Sequence, residues 1–263
     1  MKITMDTHIH TPASKCCTNP EQTVEKTAQE LYERGFKVIA FTDHVWRNPE
    51  IPPNHWYAQH DGSALLETVK IIRSRKFPLK VMASCEADMQ APGQFGITDE
   101  LSEQLDFVML APDHFQLRDF VEQPVPPVPE ALAPLMMHFF RSAVSWGKAQ
   151  ILAHPMCPFS YFEIYDRTVE LISDSEFLDS FGKAAEKGIG LEINIDCLNS
   201  AGKGEFNLDT MTRIFSLAKN AGCKFTFGSD SHNAEHFTHY AEAERFSEIV
   251  GITEKDLHPL VQI

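Results

Sequence analysis

The sequence is short of basic residues, and this shortage excludes several classes of partner. Its 263 residues include 37 Asp plus Glu against 23 Lys plus Arg, which gives a formal net charge of −14 at pH 7. A basic surface for nucleic acid or for an anionic membrane is therefore not expected. Bound divalent cations do not enter this count and would dominate the field where they sit, so a small anionic substrate stays compatible with it.

Long apolar runs and paired cysteines are also missing. No segment approaches the roughly 20 apolar residues of a membrane-spanning helix, and residues 1–10 lack the apolar core of a secretion signal, so we expect a cytoplasmic protein. The six cysteines form no Cys-x-x-Cys pair, which argues against a disulfide framework and against a structural zinc knuckle. The content of 43% hydrophobic and 23% charged residues is typical of a globular protein. We expect one domain over residues 1–263.

Short apolar and β-branched runs alternate with helical patterns along the chain. The runs predict seven strands, near residues 3–7, 38–42, 79–84, 107–111, 151–153, 189–195 and 225–227. Capping residues and stop glycines predict helices over 20–34, 130–145, 175–187 and 207–221, with at most a short helix at 98–104 between residues 87 and 105. A further helix is predicted to begin at Asp61 or Ser63 and to carry Leu65, Leu66, Val69 and Ile72. Such alternation indicates right-handed βαβ units, and their number favours a (β/α) barrel of about seven strands over a doubly wound open sheet. The Pro-rich stretch 124–134 is interpreted as a long loop or lid.

Histidines and carboxylates follow six of the seven predicted strands. They occur in Asp6-Thr7-His8-Ile9-His10, Thr42-Asp43-His44, Cys85-Glu86, Asp113-His114, His154-Pro155 and Ser229-Asp230-Ser231-His232. The C-terminal ends of parallel strands meet at one mouth, so these side chains should converge although they are far apart in sequence. Residues two apart on a strand point to the same side, as His8 and His10 would. Imidazole nitrogens with carboxylate oxygens suit Zn, Mn or Fe, and so many ligands predict two or three ions sharing a bridging carboxylate.

The order of these motifs resembles that of the PHP (polymerase and histidinol phosphatase) family. The resemblance spans residues 6–232 and includes Ala-His-Pro at 153–155 and Phe-Gly-Ser-Asp-Ser-His at 227–232. It implies a distorted (β/α)7 barrel that holds up to three divalent ions at the C-terminal ends of its strands. It also implies hydrolysis of phosphoesters, with stand-alone histidinol phosphatases among the similar proteins.

Ligand roles follow from the resemblance residue by residue. One ion would be held by His8, His10, Glu86 and Asp230; Glu86 would bridge to a second ion bound by His114 and His154; and His44 and His232 would belong to a third. Some members have a further His where this chain has Cys16. Either a thiolate replaces the imidazole there, or the third ion is weak or absent.

These features predict a metal-dependent hydrolase of small phosphomonoesters. Its nucleophile would be a metal-bridged water or hydroxide, with Glu86, Asp230 and His232 in the catalytic centre. A protonated His232 or His44, or a water bound to a third ion, would protonate the leaving oxygen. Basic residues after the strands are candidate phosphate clamps, of which we expect at least one to reach the substrate. They are Lys15, Arg47, Arg118 and Lys203.

Two other functions are compatible with parts of the pattern. An amidohydrolase-like enzyme also begins with His-x-His, but that family usually has a metal-bridging Lys on a middle strand, where this chain has Glu86 and His114. A catalytically inactive metal-binding or interaction module would lack ligands, and apart from Cys16 the set looks complete. The sequence does not indicate the oligomeric state.

The remaining histidines and nearby acidic residues receive weaker interpretations. We expect His138 to pack in an apolar helix, and surface positions for His55, His60, His236, His239 and His258. Cys157, three residues after His154, is a poor ligand candidate. Asp6, Asp43 and Asp113 are interpreted as partners that orient imidazoles, or else as loop caps. Glu192 and Asn194 receive no role.

Overall fold

Strands and helices alternate through most of the chain. The computed structural model describes residues 1–157, 159–233, 237 and 239–262. Its strands are β1 (Met5–Ile9), β2 (Val38–Phe41), β3 (His44–Val45), β4 (Lys80–Ala83), β5 (Glu86–Ala91), β6 (Gln94–Phe95), β7 (Met109–Ala111), β8 (Ile151–Leu152), β9 (Gly190–Asn194) and β10 (Lys224–Gly228). Its α-helices are α1 (Val24–Glu33), α2 (Ser63–Ser74), α3 (Asp99–Ser102), α4 (Pro129–Trp146), α5 (Phe162–Glu170), α6 (Asp174–Glu186), α7 (Ile195–Gly202), α8 (Leu208–Asn220) and α9 (Tyr240–Val250).

The strands form a distorted seven-position barrel. Parallel pairing joins β1, β2 and β4, and also β3, β5, β7, β8, β9 and β10 in that order. Two residues separate β2 from β3, and two residues separate β4 from β5. Each of these pairs therefore forms one strand of the barrel with a short interruption. The barrel closes between β1 and the segment after β10, where the Asp230 N–H donates to His8 O at 2.9 Å and the His10 N–H donates to Ser231 O at 3.0 Å. In the described residues the predicted barrel, rather than the open sheet, is therefore confirmed.

The core consists of the barrel strands and the inward faces of the surrounding helices. Strands β1, β2, β7, β8 and β9 are buried along their whole length, as parallel strands covered by helices should be. Among the described helices, none combines the length and the apolar character needed to cross a bilayer.

Some boundaries differ from the sequence predictions. Helix α1 begins at Val24 with Thr23 as its N-cap, four residues after the predicted start. The Gln22 side chain instead donates to His10 O and Ser231 O, both at 2.8 Å, which ties this turn to the barrel rim. The region 87–105 was predicted to hold at most a short helix, but it contains the rest of β5 and its antiparallel partner β6. Helix α7 follows β9 directly and occupies a segment for which no helix was predicted.

Three histidines are placed differently from expectation. His138 is exposed on α4, because its helical neighbours Met137 and Phe139 take the inward positions. His60 and His258 are buried rather than on the surface. His258 donates from Nε2 to Gly188 O at 3.0 Å and accepts at Nδ1 from the Leu260 N–H, which gives it a structural role. The predicted surface residue His236 lies outside the described residues.

Candidate metal centre

The nine side chains predicted as metal ligands gather at one end of the barrel. Within the described chain they form three overlapping groups in which the possible ligand atoms lie within 4.8 Å of one another. The first group is His8, His10, Glu86 and Asp230; the second is Glu86, His114 and His154; the third is His10, Cys16, His44 and His232.

The first group has the dimensions of a tetrahedral metal site. His10 Nε2 lies 3.2 Å from His8 Nε2 and 3.1 Å from Asp230 Oδ1. Glu86 Oε2 lies 3.2 Å from His8 Nε2 and 3.4 Å from His10 Nε2. Ligands placed 2.0–2.2 Å from a tetrahedral zinc ion are about 3.3–3.6 Å apart. Facing imidazole nitrogens and carboxylate oxygens at this spacing suit a divalent ion.

The second group uses the other oxygen of the same carboxylate. Glu86 Oε1 lies 2.7 Å from His154 Nε2 and 3.3 Å from His114 Nε2. The two Glu86 oxygens thus face two different groups, which is the arrangement of a bridging carboxylate.

The third group is built around a stack of imidazoles and one thiol. The His10 ring stacks on His44 with centroids 4.6 Å apart and on His232 at 4.4 Å. Burial would raise the pKa of the Cys16 thiol, but His44 and His232 lower it to about 7. A thiol with this pKa is partly ionised at neutral pH and is a competent ligand.

Buried carboxylates hold the outer nitrogens of the imidazoles. His8 Nδ1 lies 2.8 Å from Glu192 Oε1, and His154 Nδ1 lies 2.8 Å from Asp113 Oδ1. His114 Nδ1 contacts Asp88. Since a carboxylate accepts the Nδ1–H in each case, Nε2 keeps its lone pair toward the groups, as in other metal-binding histidines.

Asp6, Asp43 and Asp113 were expected to orient imidazoles or to cap loops, and Asp113 is the one that orients an imidazole in the described structure. Asp113 orients His154 as described. Asp6 accepts hydrogen bonds from the backbone N–H groups of His8 and Ser229. Asp43 accepts from the Thr11 N–H at 2.7 Å and the Ser14 hydroxyl at 2.9 Å. Asp6 and Asp43 therefore fix the loops that follow β1 and β10 rather than an imidazole.

Buried charges are concentrated here. Burial opposes ionisation of Glu86, yet His44, His8 and His114 hold its pKa well below the ordinary value. Burial likewise opposes protonation of His8, but Glu192, Asp230 and Glu86 raise its pKa well above the ordinary value. Glu86 Oε2 and Asp88 Oδ2 have no hydrogen-bond partner of good geometry in the described structure. Buried oxygen atoms without hydrogen-bond partners are typical of places where a cation binds.

The backbone is strained at two of the grouped residues. His154 has φ 30° and Asp230 has φ 55°, a region that non-glycine residues rarely adopt. Such strain is typical of functional sites, where the surrounding fold holds it in place. Close packing adds a second constraint at Gly228, since a Cβ atom there would lie 1.9 Å from Glu192 Oε1 and 2.5 Å from His8 Cβ.

A cavity of about 320 Å³ opens beside the groups. Its described lining includes the donors Cys16, His44, Glu86, His114, Asp230 and His232, together with Trp56, Gln116, Leu117, Phe159 and Asp196. The four basic residues proposed as phosphate clamps are exposed and are not among these lining residues. Arg118 instead lies over the Tyr161 ring at 5.3 Å. Their role as clamps stays a prediction.

Sequence reasoning overlooked three residues around the site. Glu192 was given no role, and Asp88 was not considered, although it follows Glu86 by two strand positions and so points to the same side. His60 donates from Nδ1 to Trp56 O and accepts the Lys15 N–H at Nε2, both at 3.0 Å. It therefore anchors the loop that carries Cys16. Cys157 is buried and belongs to none of the groups found among the described residues.

Comparison with known proteins agrees with this description. No family model matches the chain. The chain is 24% identical over 257 residues to a probable phosphatase of Thermoanaerobacter sp. (strain X514), covering 97% of this chain and 89% of that one. It is 27% identical over 236 residues to a probable phosphatase of Shewanella sp. (strain MR-4), covering 89% and 78%. The solved structure of histidinol phosphate phosphatase from Lactococcus lactis, complexed with zinc, L-histidinol and phosphate, matches with a TM-score of 0.56 and 14% identity, covering 95% and 94%. Over nearly its whole length the chain is therefore similar in sequence to proteins named probable phosphatases, and its fold is similar to that of a histidinol phosphate phosphatase.

Proposed function

We propose that this protein is a metal-dependent phosphoesterase that hydrolyses small phosphomonoesters. The observation that carries the proposal is the position of Glu86, whose two oxygens face two separate groups of imidazole and carboxylate donors. Relatives across nearly the whole chain bear the name probable phosphatase, which supports the same activity.

The donors suit two or three divalent ions, with Zn, Mn or Fe as the candidates. The first and second groups would hold two ions that share Glu86, and the third group would hold another. Bound ions would supply the acidity that ionises a water molecule near neutral pH and would polarise the phosphoryl oxygens.

The protein itself positions the reacting groups. Glu86 and Asp230 hold negative charge in a buried site, while Glu192, Asp113 and Asp88 keep the imidazoles in one tautomer. The leaving oxygen needs a proton, and we assign its delivery to the third group. The His232 side chain is 26% exposed at the cavity, whereas His8 and His10 are fully buried. The His232 Nδ1–H donates to Asp230 O at 2.8 Å, so Nε2 is the His232 atom that would bind an ion of the third group, and that ion would supply the acidity for this proton.

The substrate we propose is a small phosphorylated molecule. A cavity of about 320 Å³ suits a compact monoester. Histidinol phosphate is a candidate because the solved relative was complexed with L-histidinol and phosphate. One or more of Lys15, Arg47, Arg118 and Lys203 would reach the substrate phosphate from outside the described lining. Nucleic acid is not an expected partner, given the net charge of −14.

Metal content and phosphatase activity of Glu86→Gln and Glu86→Ala test this function. Two or three transition ions per chain are expected in the wild type, measured by mass spectrometry on protein purified without chelator or tag histidines. Both variants should lose at least one ion and more than about 100-fold in kcat/KM on a phosphomonoester panel. The matched control is Glu67→Gln, an exposed glutamate on α2. Full metal content and activity in the Glu86 variants would contradict the proposal, as would inactivity of the metal-loaded wild type on the whole panel.

A further inference from the structure

We propose that the third group is a zinc site with Cys16 as its thiolate ligand, distinct in metal preference from the other two groups. The inference rests on the proposed function, because it concerns the same metal centre. It goes further by assigning a soft ligand to one ion only.

The fold directs one cysteine of an adjacent pair to the site and the other away from it. Cys16 lines the cavity and its Sγ lies within 4.8 Å of donor atoms of His44 and His232. Cys17 is buried, and its Sγ contacts the backbone oxygen of His232 at 3.4 Å. Since neighbouring side chains point in different directions, the pair provides its own matched control.

The backbone around Cys16 is fixed rather than loose. His60 Nε2 accepts the N–H of Lys15, and the N–H of Cys17 donates to Ser14 O at 2.9 Å. The Ser14 hydroxyl also accepts the His44 N–H at 2.9 Å, which joins this loop to strand β3. Cys16 and His44 are therefore held on one framework, as a metal site requires.

The donors of the third group differ chemically from those of the other two. The first and second groups offer imidazoles and carboxylates, which Mn, Fe and Zn all accept. The third offers imidazoles and a thiolate, and thiolate ligands favour Zn over Mn. When zinc binds, the Cys16 S–H bond breaks, its proton goes to solvent and the sulfur electron pair forms the S–Zn bond. The site should therefore fill with Zn and remain empty with Mn.

Cobalt titration provides a spectroscopic test, because thiolate-bound Co²⁺ has a near-ultraviolet charge-transfer absorption that imidazole and carboxylate ligands do not give. The absorption is expected in the wild type and in Cys17→Ser. It should be lost in Cys16→Ser and in Cys16→His, while Cys16→His still binds the full number of cobalt ions. Absorption that persists in Cys16→Ser, or that is lacking in cobalt-loaded wild type, would overturn the inference.

Alkylation gives a second readout that does not depend on activity. Cys16 is the one cysteine of six that is not buried, and all six lie in the described residues. Iodoacetamide should label Cys16 in metal-free protein, and Zn, but not Mn, should slow this labelling at least tenfold, measured by peptide mass spectrometry. Equal protection by Mn, or none by Zn, would overturn the inference. Because Cys16 belongs to neither of the first two groups, two ions bound to Cys16→Ser would leave the proposed function standing, whereas no bound ion in the wild type would remove both.

Discussion

Glu192 lies behind His8, with its Oε1 atom 2.8 Å from His8 Nδ1, and both side chains are fully buried. The other oxygen of Glu192 accepts the His154 N–H at 2.6 Å. One carboxylate thus supports residues of the first and the second group.

Glu192→Gln should weaken metal binding while keeping the fold. A glutamine side chain has one acceptor oxygen, so it cannot accept both the His8 Nδ1–H and the His154 N–H. Loss of such a supporting contact typically costs 10–100-fold in metal affinity, which competition with a chromophoric chelator would measure. Glu186→Gln, at an exposed position on α6, is the control. Unchanged affinity would mean that Glu192 does not orient His8.

Gly228→Ala should destabilise the protein. The added Cβ would lie 1.9 Å from Glu192 Oε1 and 2.5 Å from His8 Cβ, both on packed strands. Overpacking of this kind costs roughly 1–3 kcal/mol, which denaturant unfolding with chelator present would measure. Gly182→Ala on α6 meets no atom within 4 Å and should stabilise by up to about 1 kcal/mol. Equal effects of the two substitutions would contradict this explanation.

Metal removal should destabilise the protein more at higher pH. Ions at 100 times their Kd would contribute about 2.7 kcal/mol. Without metal, carboxylates raise the pKa of His8 and His154 against the opposing effect of burial. Their protonation stabilises the metal-free fold below the unfolded pKa of about 6.5, and this contribution is lost as pH rises through the folded pKa. Metal ions bind the neutral imidazole rings of His8 and His154, so protonation of these rings competes with metal binding. The Tm difference caused by chelator should therefore be larger at about pH 8 than at roughly pH 6, and the reverse order would count against imidazole ligands.

His60 should make the fold sensitive to mild acid. Burial lowers its pKa to about 4, with a smaller effect from His44, and protonation would break the hydrogen bond that Nε2 accepts from the Lys15 N–H. A histidine with a depressed folded pKa contributes stability above its unfolded pKa of about 6.5, and this is lost as pH falls toward the folded value. The loss should be about 1–3 kcal/mol between these two pKa values, measured by unfolding with chelator present. His60→Gln should show a smaller loss, and an equal loss in both proteins would refute the assignment.

The ligand motifs could be predicted because they depend on local sequence. His8 and His10 alternate on one strand, and Asp230 follows another, so strand ends alone bring them to one mouth of a barrel. The supporting contacts could not be predicted in this way. Glu192 reaches His8 because β9, β10 and β1 are adjacent, and that adjacency depends on barrel closure. The predicted start of α1 was wrong because the Gln22 side chain donates a hydrogen bond to the backbone oxygen of Ser231, a residue far away in the sequence.

By itself, the sequence determined the alternation of strands and helices, the order of the motifs and the set of donors, since these follow from apolar periodicity, capping residues and residue type. Only the tertiary structure decided how the donors are shared. It placed the two oxygens of Glu86 toward different groups, directed Cys16 rather than Cys17 into the cavity, and left Lys15 and Arg47 outside its described lining. These outcomes depend on strand register, barrel closure and loop hydrogen bonds between residues far apart in the chain, which local sequence patterns do not encode.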